Sequence, residues 1–158
     1  MSEETFYINN AEVDEKNIIT WNHELEQERK SAVFDLTNNC YFKLKKDNTG
    51  PYLVKIRFEE WKLFLSIIDM KDNEKYERKY LVSSIRRIVR DYQIVCENYI
   101  EAIKTAPLKK IEAIDIGRRS IHDEGAEILK EIVKAEIEIS IDTSRRLFTL
   151  ISILSVKI

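Results

Sequence analysis

The spacing of apolar residues changes several times along the chain, and each change marks an element. Phe6 to Val13 reads as a strand. Thr20 then offers a hydroxyl that can accept from an unpaired first-turn N–H. Behind it Trp21, Leu25, Ala32, Val33 and Leu36 recur at helical spacing, and Asn38-Asn39 closes that helix. Tyr41–Leu44, Tyr52–Phe58, Trp61–Asp69 and Tyr76–Val82 are strand-like runs, punctuated by the turn segments Asp47-Asn48-Thr49-Gly50-Pro51 and Lys71-Asp72-Asn73-Glu74. Connections this short predict antiparallel pairing, because a parallel pair needs a crossover of a dozen or more residues.

Ser83 is placed to cap a long helix of about six turns, with Ile85, Ile88, Val89, Tyr92, Cys96, Tyr99 and Ile103 in one stripe. Pro107 suits the first turn of the next helical stretch, which runs to about Lys134 with a break expected near Gly117. Ile137, Ile139 and Ile141 alternate with polar residues, as in a strand with one wet face. Asp142 would cap a final helix that is apolar nearly all round from Leu147 onward. Such a helix lies at the centre of a core or in a subunit interface, so a homodimer through Phe148 and Ile153 is one expectation. The pattern predicts an α+β fold, with an antiparallel sheet of roughly four to six strands packed against about four helices.

Composition fits one domain over residues 1–158. The chain is 44% hydrophobic and 34% charged, too apolar for disorder, and its three glycines and two prolines leave little room for linkers. The first twenty residues are polar and acidic, unlike a secretory signal, and the longest apolar run, 147–156, is about half a membrane span. Cys40 and Cys96 make no disulfide framework and read as reduced core thiols. A cytoplasmic protein without a membrane partner is expected.

The net charge of −2 argues against a nucleic-acid partner. It is unevenly spread: residues 1–39 carry −6, while 40–83 and 84–120 each carry +3. A basic middle suits either an anionic ligand or an ordinary solvated surface.

On a helical wheel of residues 108–133, Ile111, Ile114, Ile121, Ile128, Leu129 and Ile132 make the apolar stripe. Arg118 falls in its middle, with Asp115 and His122 along the edge and Gly125 where another backbone or a ligand could approach closely. A buried arginine needs a partner, since an unpaired buried charge costs several kcal/mol. Glu28 and Arg29 fall on the stripe of the first helix, and Glu28 is a candidate partner for an arginine elsewhere. Arg-Arg pairs occur three times, at 86–87, 118–119 and 145–146.

Familiar chemical motifs are missing. His23 and His122 belong to no metal-binding spacing, the cysteines are isolated, and there is neither a phosphate-binding glycine loop nor a nucleophile elbow. No metal or cofactor is implied. His122-Asp123-Glu124 invites a catalytic reading, but neighbours on a helix point in different directions.

Several segments together resemble a bacterial group, uncharacterised protein family 0262. They are Glu28-Arg29 with Phe34-Asp35-Leu36, Gly50-Pro51-Tyr52, Arg86-Arg87-Ile88-Val89 with Asp91-Tyr92, and Cys96-Glu97 with Tyr99 and Glu101-Ala102-Ile103. The most specific are Ile111 to Asp115, Gly117-Arg118-Arg119, His122 and Glu124-Gly125, and the match closes with Asp142-Thr143 and Arg145 to Ile151. The first twenty residues and Lys71–Tyr80 match only loosely. The resemblance implies a bacterial cytosolic protein of one domain and supplies no activity.

Three functions follow from the residues. The first is a binding module whose arginine-rich cleft holds a small anionic ligand, with Arg87, Arg118, Arg119 and Arg146 as donors oriented by Asp115 and Glu28. The second is a structural or interaction protein whose arginines form a sealed ion-pair network. The third is an acid–base hydrolase with His122 as its catalytic candidate.

Overall fold

The computed structural model describes residues 5–19, 22–38, 40–46 and 48–156. Among these, ten regular elements follow one another: β1 (Ile8–Val13), α1 (His23–Asp35), β2 (Phe42–Leu44), β3 (Tyr52–Glu59), β4 (Lys62–Asp69), β5 (Lys75–Leu81), α2 (Arg86–Thr105), α3 (Leu108–Val133), β6 (Ile137–Ile139) and α4 (Ile141–Leu154). The fold is α+β.

The sheet differs from the predicted meander in two ways. Strands β3, β4 and β5 are antiparallel neighbours as expected, but β1 pairs with β3 in parallel, giving a mixed sheet in the order β1-β3-β4-β5. The chain between β1 and β3, which contains α1, is long enough for the crossover that parallel pairing requires. Strand β2 leaves this sheet altogether and pairs antiparallel with β6, Phe42 opposite Ile139 and Leu44 opposite Ile137. One face of the main sheet is buried, with Ile8, Val54, Ile56, Leu65, Ile67 and Tyr80 all pointing into one core shared with the helices.

Helix starts also shift from their predicted places. The Thr20 cap and the stripe position Trp21 lie outside the described residues, as do Asn39 and Asp47 of the predicted turns. Helix α1 is capped by Asn22, whose side-chain oxygen accepts from the Leu25 N–H at 3.0 Å. Ser83 opens a short 3-10 turn, Ser83–Ile85, which leads into α2 without a side-chain cap. Pro107 sits just before α3, not within it, and α3 is unbroken at Gly117. Ser140, not Asp142, caps α4; its hydroxyl accepts from the Thr143 N–H at 3.2 Å, and Asp142 sits in the first turn where the helix dipole favours an anion.

Helix α4 is the centre of the helical layer and packs against α1, α2 and α3. Phe148 and Ile153 are buried within the chain's own fold. Gly125 of α3 lies against the Phe148 ring, and a Cβ there would overlap it. The Ser144 hydroxyl donates to the Ala126 carbonyl, and the Gln93 amide donates to the Ser152 carbonyl at 2.8 Å. These contacts set α4 antiparallel to α3. Both cysteines are free, Cys40 buried and Cys96 half-buried. Among the described residues, no helix is long and apolar enough to cross a membrane.

Candidate functional site

The close approach of α3 and α4 at Gly125 brings their polar flanks together one turn further along. There the His122 ring, on α3, meets Thr149 of α4, with Nε2 2.8 Å from Oγ1. The Thr149 hydroxyl also donates to the Arg145 carbonyl at 3.1 Å, the usual outlet for a threonine inside a helix. Its oxygen is therefore left to accept from His122 Nε2–H, which selects that tautomer of the neutral ring. Tyr92 of α2 and Phe148 of α4 enclose the ring, with centroids 5.1 and 5.2 Å away. Burial, partly offset by the charge of Asp123, pushes the His122 pKa below its ordinary value.

His122, Arg145 and Thr149 form the common floor of two adjoining concave spaces. One, of about 260 Å³, extends toward Ala32, Asp35, Asp142 and Arg146. The other, of about 470 Å³, extends toward Tyr92, Arg118, Arg119 and Asp123. The result is a groove whose sides are α1, α2, α3 and α4.

Each arginine in it is held by an aspartate. Arg118 Nε lies 3.1 Å from Asp115 Oδ1, and Arg119 Nη2 lies 3.1 Å from the other oxygen of the same carboxylate. The hydrogen bond from Arg118 holds the Asp115 carboxyl below the usual carboxylate range. Arg145 bridges two carboxylates, Nε to Asp123 and Nη1 to Asp142, each at 2.9 Å. Arg146 stands 3.5 Å from Asp35 of α1. The Arg118 guanidinium also lies over the Tyr99 ring, 5.1 Å from its centroid.

The groove thus gathers Arg118, Arg119, Arg146, Asp115 and His122 from among the predicted residues. It leaves out two. Arg87 is exposed at the start of α2 and lines neither space. Glu28 is exposed on α1; the buried charge of that helix is its neighbour Arg29, which pairs with Glu26 through a bond from Nε to Oε1. A shift of one residue on a wheel is 100°, enough to exchange the two faces. Arg145, Thr149, Tyr92, Asp35, Asp123 and Asp142 were not anticipated. Their sequence signal is faint: two of the three Arg-Arg pairs converge in the groove, and Asp142 precedes Arg145 by one turn. Among the described residues, no group of three or more His, Cys, Asp or Glu side chains could hold a metal ion.

The family model described as Uncharacterised protein family (UPF0262) matches residues 6–157. A UPF0262 protein of Cereibacter sphaeroides (strain ATCC 17025) is 40% identical over 148 residues, covering 90% of this chain and 94% of the relative. Another, from Ruegeria sp. (strain TM1040), is 38% identical over 152 residues, covering 93% and 96%. A UPF0262 protein of Sphingopyxis alaskensis is also 38% identical over 152 residues, covering 93% and 92%. No solved structure matches the chain.

Proposed function

The chain belongs to the uncharacterised protein family UPF0262, and from that premise we propose that its α3–α4 groove binds a small phosphate- or carboxylate-bearing ligand in the bacterial cytoplasm. The observation that carries this reading is the condition of the arginines. Four guanidiniums converge on one solvent-open groove, and no aspartate seals any of them. Their side chains are 28%, 73%, 39% and 34% exposed for Arg118, Arg119, Arg145 and Arg146.

Each guanidinium has five N–H donors in a fixed fork, and the aspartates use only part of each set. Arg145 keeps Nη2 after its carboxylate contacts, while Arg119 spends only Nη2; Arg118 is shared between Asp115 and the Tyr92 hydroxyl. The aspartates orient the forks, and the remaining donors can take an oxyanion in charge-assisted bonds. A sealed structural network would bury both partners of each pair, so these exposures speak against it. Acid–base hydrolysis by His122 has less support, because Nε2 is engaged by Thr149 and that hydroxyl by a carbonyl.

Thermal melts of the full chain with phosphate, sulfate and citrate test the reading. The melting temperature should rise saturably with at least one of these anions, because a ligand bound only to the folded state stabilises it. Arg145→Met, which takes the shared donor from both spaces, should abolish that rise. A wild-type melt unmoved across the panel sinks the proposal.

A further inference from the structure

The charges of the groove's ion pairs cancel. Arg118 and Arg119 share the single carboxylate of Asp115, Arg145 meets both Asp123 and Asp142, and Arg146 faces Asp35. Four guanidiniums thus stand against four carboxylates. The forks can orient an oxyanion, but these pairs give the groove no surplus charge to draw one in.

Near neutral pH, the side chain on the floor whose charge can change is His122. It lines both concave spaces, so an anion in either has the ring for a neighbour. Nε2–H is already engaged by Thr149 Oγ1 at 2.8 Å, and protonation at Nδ1 adds a donor and a positive charge without breaking that bond. Burial against Tyr92 of α2 and Phe148 of α4 opposes this charging. So do the cations around it, Arg118 and Arg119 of α3 with Arg145 and Arg146 of α4. Asp123, Asp142 of α4, Asp35 of α1 and the Arg145 carbonyl favour it. A bound oxyanion shifts this set toward the imidazolium.

We infer that His122 is the groove's fifth cation: as the anion binds, the ring takes one proton from solvent, and the imidazolium then holds the anion together with the arginines. This rests on the anion-groove reading above. Coupling is reciprocal, so an anion that favours the proton is itself bound more tightly once the proton is on. Without ligand the ring's pKa lies below the ordinary 6.5, and the anion raises it. Affinity is therefore lowest at alkaline pH, rises as the pH falls through the pKa of the complex, and levels off below that of the free protein.

Calorimetric titration of the full chain with sulfate tests this, because sulfate, unlike phosphate, keeps one charge throughout the range. Repeating it in buffers of different ionisation enthalpy counts the protons taken up. The wild type should bind sulfate about 10-fold tighter at pH 5.5 than at pH 7.5 and take up a fraction of a proton per anion. His122→Gln, which keeps an N–H for Thr149, should take up none and show one affinity at both pH values. Should that variant misfold, the wild-type proton count still decides. Saturable sulfate binding without proton uptake overturns the role of His122 and leaves the anion groove standing. Uptake that persists in His122→Gln assigns the proton to another group and overturns it equally. Without saturable binding at either pH, both readings fall together.

Discussion

Burial biases His122 toward its neutral form, with the Tyr92 and Phe148 rings against it and Asp123, Arg145 and Arg118 supplying the nearby charges. Its folded pKa lies below the ordinary 6.5, so the unfolded chain binds that proton more readily. The neutral ring therefore contributes full stability well above pH 6.5, and this contribution falls as the pH drops through that value. Chemical denaturation from pH 8 to about pH 5 should show the loss in the wild type, and His122→Gln should flatten it. An unchanged slope would mean the ring is not desolvated. The Asp115 contribution has the opposite origin, a lowered carboxylate pKa, and is lost only at lower pH, below the ordinary 3.8.

For the arginines the magnitudes separate two roles. A sealed pair costs about 3–5 kcal/mol when one partner is removed, an exposed one about 1 kcal/mol or less. Arg118→Met and Arg119→Met should both fall in the lower range, Arg119 nearest zero, as read from urea unfolding. The wheel put Arg118 mid-stripe and left open whether the stripe is sealed there or open to solvent. Rotation is local, and where a neighbouring helix stops is not. At Arg118 the end of α4 is near, so the centre of the α3 stripe faces solvent.

Among the elements, the helix pair α3–α4 depends on one absent side chain. Any Cβ at Gly125 would enter the Phe148 ring, which is buried and ringed by Tyr92 and His122 and so has little room to yield. Gly125→Ala should destabilise by roughly 1–3 kcal/mol, the usual cost of overpacking. Gly117 lies in the same helix with nothing near its Cβ position. Gly117→Ala should instead stabilise by up to about 1 kcal/mol through helix propensity. Guanidinium midpoints moving the same way for both would refute this account of α3.

Element types were legible because local rules fix them: Val54, Ile56 and Phe58 alternate, while Ile85, Val89 and Tyr92 recur at helical spacing. Partners were not. Nothing in Phe42-Lys43-Leu44 says that it pairs with Ile137–Ile139 instead of Tyr52 onward, since either pairing buries Phe42 and Leu44. Phe6–Val13 likewise carries no mark of parallel pairing. The groove inherits this limit, because Arg145 finds Asp123 only through the packing that Gly125 and Phe148 set.

Over the whole molecule, burial is distributed unevenly along the α2–α3 hairpin. The part of α2 near Val89 and the part of α3 from Gly125 to Val133 lie in the core. Between residues 97 and 120, Ala102 alone is buried, and Ile100, Ile103, Leu108 and Ile116 are more than half exposed. The apolar stripe of α2 continues past the point where α4 ends, so among the described residues its outer turns pack chiefly against the other arm of the hairpin. A helical pair held by so little buried area should open without unfolding the body, because local opening free energy follows local burial. Native-state hydrogen exchange should then show a gradient along single helices. Amides of 97–116 should exchange through a low-energy local opening, and those of 122–133 and 86–93 only near the global unfolding energy. Arg118 and Arg119 sit at the boundary, joined to Asp115 on the exposed side. An anion bound at that end of the groove should slow exchange across residues 112–121 and leave 97–105 unchanged. Uniform protection from 86 to 133 would show that the hairpin and the body unfold as one unit, and that the outer turns are covered by something other than their own chain.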